Sequence, residues 1–195
     1  MQLSALAVFC GYRDGNDPAY LGAARDLGRI LVERNVALVY GGGAFGMMGA
    51  VANTVLEGGG RVVGVIPGFL LERGQGHPDV KEMQVVATLH ERKTRMAEIA
   101  DAFLVLPGGL GTMDELFEAL TWMQLGVHDK PIGLVNTNGY YDALLGFMDR
   151  VQAADFMQDG HTDLLMASSE PLLVLDAVSA HLACVESETV RSRLV

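Results

Sequence analysis

Apolar residues along this chain fall into short unbroken runs, separated by longer stretches in which they recur every three or four positions. Unbroken runs of four to six residues describe strands buried on both faces, and the three-to-four spacing describes helices with one buried face. The runs are Leu6 to Cys10, Val36 to Tyr40, Val62 to Ile66, a shorter one at Val85 and Val86, Ala102 to Leu106, and Pro131 to Asn136. Thr162 to Met166 completes the set as a short edge strand. Between them the spacing predicts helices over Tyr20 to Glu33, Gly41 to Leu56, His90 to Ala100, Thr112 to Leu125, Tyr140 to Val151 and Pro171 to Cys184. Asp17 is placed to cap the first helix, with Pro18 at its first position. The stretch from Pro67 to Pro78, with Gly68, Gly74, Gly76 and His77, reads as a longer irregular loop over a site.

Strands alternating with helices through short loops imply an α/β fold, an open, mostly parallel, Rossmann-like sheet with helices on both faces. A chain of 195 residues, half of them hydrophobic, suits a single domain, here residues 1–185, with a polar, flexible tail at 186–195. In such sheets the ligand lies off the carboxyl ends of the strands, where Gly11, Gly41 to Gly43, Pro67 and Pro107 to Gly111 all fall.

The stretch Pro107-Gly108-Gly109-Leu110-Gly111-Thr112-Met113-Asp114-Glu115 joins a buried strand to a helix. Three glycines in four positions let backbone N–H groups approach a ligand closely, and the helix start adds unpaired donors and a positive dipole end. That combination suits an anion, most simply a phosphate. A competing reading makes the turn purely structural, with Thr112 and Glu115 forming a capping box. Gly41, Gly43 and Gly46 also satisfy GxGxxG. They follow the second strand rather than the first, however, and no acidic residue ends the next strand to hold a ribose, so tight packing is the better reading and a mononucleotide the better ligand.

Arg92, in the run His90-Glu91-Arg92-Lys93-Thr94-Arg95, sits near the ligand edge of the sheet, where a planar guanidinium fits phosphate or carboxylate. Glu115 lies one turn inside the anion-binding helix, beside whatever the phosphate is attached to. A carboxylate there meets the need of glycosidic cleavage, in which positive charge builds on the sugar ring. Asp114 points some 100° away on an ideal helix and is the weaker candidate. Trp122 reads as a packing residue, and His77, His90 and His128 show no metal-ligand spacing. No GxSxG or Cys/His nucleophile pattern is present.

A formal net charge of −10 argues against nucleic-acid binding, including a single-stranded binder on a related fold. Cys10 and Cys184 suit two reduced thiols, no apolar run reaches membrane-spanning length, and the start reads as a strand rather than a signal peptide. The expectation is a cytoplasmic protein acting on a small molecule, with no membrane partner and no metal.

PGGLGTMDE at 107–115, HERK at 90–93 and YGGGAFGMMG at 40–49 together resemble the Lonely Guy family, as do VFCG at 8–11, GVIP at 64–67 and TWMQLGVHDKP at 121–131. The family comprises cytokinin riboside 5′-monophosphate phosphoribohydrolases long labelled lysine decarboxylases. The resemblance implies hydrolysis of AMP or an N6-modified AMP to free base and ribose 5-phosphate, without metal or organic cofactor, by a homodimer whose helices pack near the site. It implies Arg92 and Glu115 as the catalytic pair. Lys93, Gly108, Gly109, Leu110, Gly111, Thr112, Asp114 and Thr121 would contact the nucleotide, and Gly42 and Gly43 would line the substrate site. Two departures bear on substrate choice: Tyr12, Arg13 and Asp14 replace small hydroxyl residues after CG, and Gly74 stands where a Glu is common. The alternative is a non-catalytic nucleotide carrier on the same fold, resembling molybdenum cofactor carriers, in which Glu115 serves only as a cap.

Overall fold

Seven parallel strands form one sheet, in the order β4-β3-β2-β1-β5-β6-β7, in a computed structural model that describes residues 2–157 and 165–193. The strands are β1 (Ala5–Phe9), β2 (Ala37–Tyr40), β3 (Val62–Pro67), β4 (Glu82–Val86), β5 (Ala102–Val105), β6 (Ile132–Val135) and β7 (Leu165–Ser168). The helices are α1 (Pro18–Glu33), α2 (Gly46–Glu57), α3 (Gly68–Glu72), α4 (Leu89–Ile99), α5 (Leu110–Gln124), α6 (Asp142–Ala153) and α7 (Pro171–Arg193). This is the doubly wound α/β architecture that the alternating pattern implies. The order reverses at β1, whose neighbours are β2 on one side and β5 on the other. A crevice therefore opens off the carboxyl ends of β1 and β5.

Each strand alternates its side chains between two cores, so the central runs are apolar throughout. Leu6, Val8 and Cys10 face α1, α2 and α7, packing with Leu27, Val51 and Val178. Ala5, Ala7 and Phe9 face α4, α5 and α6, packing with Met96, Leu116 and Met148. Phe9 stacks on Phe103 of β5 at 5.6 Å between centroids, tying the two strands that flank the crevice.

Local chemistry fixes the helix starts. Asp17 Oδ1 accepts the Ala19 N–H at 2.9 Å with Pro18 at the first position, as the sequence predicts. Thr88 caps α4 by accepting the Glu91 N–H at 3.1 Å, while Glu91 Oε2 accepts the Ala87 N–H at 2.9 Å. The stretch expected to be irregular after Pro67 contains the short α3, and β4 reaches back to Glu82. Of the edge strand expected at Thr162 to Met166, residues 162–164 lie outside the described residues, and β7 extends to Ser168. The last helix continues past Cys184, where the periodicity predicted its end. No helix among the described residues is long and apolar enough to cross a membrane.

The last glycine of the GxGxxG stretch serves packing, while Gly41 and Gly43 line a cavity. Gly46 opens α2 with φ +63°, and a Cβ there would overlap the peptide joining Tyr12 to Arg13. The loops after β1 and β2 thus touch backbone to backbone. Gly46→Ala combines left-handed strain with that overlap and is expected to lower stability by about 2 kcal/mol or more, read as a drop in the urea midpoint with an unchanged slope.

Candidate active site

The crevice at the β1/β5 reversal is a cavity of about 1070 Å³. Its floor holds Arg92 and Glu115, one wall is the turn Gly109 to Thr112, and the opposite wall carries Ile66, Leu70 and Gln75. The loop after β1, with Gly11, Tyr12 and Arg13, closes one side, and Gly41, Gly43 and Phe45 from the loop after β2 close another. The strap at 73–77 is pinned to that second loop: Ala44 N–H donates to Gln75 O at 3.0 Å and His77 N–H to Gly42 O at 2.9 Å. His77 anchors the strap from within, its Nε2 3.0 Å from Asn53 Oδ1, so this histidine is structural.

The turn is built for close approach. Gly11 N–H donates to Pro107 O at 3.0 Å, and a Cβ on Gly108 would overlap both Thr112 Oγ1 and the Gly11 nitrogen. Two adjacent tyrosines hold it from behind: Tyr141 Oη donates to Leu106 O at 2.7 Å and Tyr140 Oη to Gly108 O at 2.6 Å. These bonds fix carbonyls of the turn, while the first N–H groups of α5 lie at the cavity wall. The N-cap is Gly109 and no side chain caps it, which leaves donors for an anion. The capping box suggested by Thr112 and Glu115 does not form, because the helix starts at Leu110 rather than Thr112 and carries Glu115 past its first turn.

Arg92 comes from α4 and Glu115 from α5. Arg92 Nη2 donates to Glu115 Oε1 at 2.5 Å, with side chains 11% and 3% exposed. Burial pushes the Glu115 carboxyl up to about 7; the Arg92 guanidinium opposes that rise, and the Asp114 carboxylate adds to it. A group poised near neutrality suits proton transfer. Arg92 Nε is buried with no hydrogen-bond partner among the described residues. Cys10 also lines the cavity, but burial, with Glu115 next, drives its thiol far upward, so it stays protonated and is no nucleophile.

Of the residues singled out from the sequence, Arg92, Glu115, Gly43, Gly109, Leu110, Gly111 and Thr112 meet around this cavity. Gly108 sits behind the turn, and Gly42 faces Ile66 and Met83. Lys93, next to Arg92, turns to the other side. Its Nζ lies 2.9 Å from both Asp114 Oδ2 and Glu118 Oε2, and its side chain is buried. Burial alone would lower this ammonium, yet the carboxylates of Glu118 and Asp114 reverse the shift and raise it. Thr121 Oγ1 donates to Phe117 O at 2.7 Å, and Thr121 lies in a separate hollow with Phe147 and Phe156. Trp122 lines a further hollow beside His128 and Lys130. Tyr12 and Gly74, named above as departures, line the cavity, as do Phe45, Met48, Leu70 and Arg73. The signal available for Tyr12 and Phe45 was their place just after strand ends.

This arrangement defines a Rossmann-like α/β protein with a cavity at the point where strand order reverses. The chain belongs to the Lonely Guy family. A family described as possible lysine decarboxylases matches residues 48–178. A cytokinin riboside 5′-monophosphate phosphoribohydrolase of Arabidopsis thaliana is 42% identical over 181 residues, covering 93% of this chain and 84% of the relative. A probable enzyme of the same name from Oryza sativa subsp. japonica is 44% identical over 176 residues, covering 90% and 70%. Among solved structures, the molybdenum cofactor carrier protein of Chlamydomonas reinhardtii superposes with a TM-score of 0.69 over 92% of this chain and 98% of that one. At 21% identity that likeness concerns the fold alone.

Tyr141 is buried, so Tyr141→Phe leaves the Leu106 carbonyl unpaired and is expected to cost about 1–2 kcal/mol, measured by thermal unfolding.

Proposed function

We propose that this protein hydrolyses the N-glycosidic bond of AMP or an N6-modified adenosine 5′-monophosphate, giving free base and ribose 5-phosphate. The observation that carries the reading is the buried Arg92–Glu115 pair on the cavity floor, within the same crevice as the uncapped glycine turn. The turn and the start of α5 bind the 5′-phosphate through backbone N–H groups. That contact sets the ribose over Glu115. As the bond from C1′ to the base nitrogen breaks, its electron pair leaves with the base, which takes up a proton from solvent, and Glu115 returns one to solvent after the water attack. Positive charge on the ribose is met by the Glu115 carboxylate. Water then adds its oxygen to C1′ and gives a proton to Glu115. Arg92 keeps the carboxylate aimed.

The decarboxylase label does not fit these residues. A pyridoxal enzyme needs a free lysine in its cavity to form a Schiff base. The chain's three lysines are Lys81, Lys93 and Lys130. None lines the cavity. Lys93 is held by two carboxylates, and Lys130 Nζ donates to Ala100 O at 2.7 Å. The carrier reading fares no better, since it makes Glu115 a helix cap and Glu115 caps nothing.

Incubation with AMP and with isopentenyl-AMP is expected to release free base. Because Glu115 must be ionised, kcat/KM is expected to rise about tenfold per pH unit below roughly 7 and to level above it. Glu115→Gln is expected to lose about a thousandfold in turnover while remaining folded. Absence of base release from either nucleotide overturns the reading.

The protein is further proposed to be a cytoplasmic homodimer joined through α5 and α6. Phe117, Phe147 and Phe156 are 41%, 59% and 86% exposed on one face, an apolar patch of the kind that subunit contacts cover. That face also holds Thr121. Light scattering is expected to give twice the 20.9 kDa chain mass, and Phe147→Asp is expected to give the monomer.

A further inference from the structure

The nucleotide reading leaves one charge unanswered. A phosphate at the glycine turn is met there only by backbone donors. The cations on the cavity wall are Arg13, Arg73 and Arg92. Arg92 is already committed to Glu115, and Lys93, which the family pattern assigns to the nucleotide, is committed to Asp114 and Glu118 outside the cavity.

Position separates the remaining two. Arg73 follows β3 and α3, and β3 is three strands from β5 in the sheet order, about 14 Å at ordinary strand spacing. Arg13 belongs to the loop after β1, which is hydrogen-bonded to β5. That loop rests directly on the phosphate turn: Gly11 N–H bonds Pro107 O, and a Cβ on Gly11 would lie 3.4 Å from the Gly108 Cα and 3.2 Å from Arg13 O. The Arg13 guanidinium makes no ion pair with a described residue, not even with its neighbour Asp14, and lies 5.5 Å from the centroid of the Tyr12 ring. It is an exposed, uncommitted cation beside an anion-binding turn. The loop carrying it is seated against the start of α2, where Gly46 admits no side chain.

We propose that Arg13 is the substrate-binding residue that pairs with the 5′-phosphate and selects nucleotides over nucleosides, an inference that rests on the phosphoribohydrolase reading. The guanidinium reaches the phosphate oxygens that the backbone donors of the turn leave free, and a planar fork serves two of them at once. Phosphate recognition is thereby divided between two loops, one supplying shape and the other charge.

The test uses the full chain and its Arg13→Gln and Arg13→Lys variants, titrated calorimetrically with ribose 5-phosphate and, as control, with ribose. Circular dichroism checks that the variants fold. Arg13→Gln is expected to weaken ribose 5-phosphate binding about tenfold or more, with Arg13→Lys recovering part of the loss. Raising salt should weaken binding to the wild type more steeply than binding to Arg13→Gln. In turnover, Arg13→Gln should raise KM for AMP with kcat nearly unchanged. Equal affinity of wild type and Arg13→Gln for ribose 5-phosphate, or no binding by either at millimolar ligand, overturns the inference. Wild-type protein that binds ribose 5-phosphate in an Arg13-dependent way but releases no base leaves the inference standing and overturns the activity instead.

Discussion

Everything at the site depends on a salt bridge that the fold keeps nearly dry. Burying a carboxylate is costly unless a cation accompanies it, and breaking such a pair from one side leaves a stranded charge worth about 3–5 kcal/mol. Arg92 and Glu115 are joined at 2.5 Å between two helices that pack on the same face of the sheet. Their positions are set by the capping of α4 at Thr88 and by the glycine turn that launches α5. The pair is therefore a constraint on the fold as much as a feature of the cavity. The compromise between burial and the nearby guanidinium leaves Glu115 titrating near neutrality, where it can take up or release a proton.

The two faces of the sheet divide the work. Helices α1, α2 and α7 cover an apolar core and touch the site mainly through the start of α2. Helices α4 and α5 bring the charged residues, and the strand ends between the faces supply the backbone of the cavity. Placing Arg92 and Glu115 on helices and the glycine turn against Tyr140 and Tyr141 gives rigid support to both.

Much of this was legible in the sequence because the central strands are buried on both faces and show as unbroken apolar runs. β4 was harder to read: it is an edge strand with Glu82 and Val85 exposed, so no full run marks it. α3 buries none of its five residues and leaves no periodic trace. Within the site, the glycines, Arg92 and Glu115 stood out because their residue types suit an anion and a developing cation. Lys93 could not be told from Arg92 by adjacency, since one step along a helix turns a side chain by about 100°. α5 starts at Leu110, two residues before the hydroxyl of Thr112 that marks a capping box in the sequence, because Gly109 takes the N-cap with no side chain to announce it. The far wall, with Met48, Leu70 and Arg73, is assembled from segments distant in sequence, and no local pattern announces it.

The consecutive residues Arg92 and Lys93 face the consecutive residues Glu115 and Asp114 across the α4–α5 seam, one pair toward the cavity and the other away from it. The seam works as a vernier: it admits one alignment of the two helices. A single residue deleted between Thr88 and Arg92 would bring Lys93 to the place Arg92 holds, setting a point charge without a planar fork against Glu115. Length variation in this chain is thus far better tolerated in the loops beyond the sheet edges than along the first turn of α4.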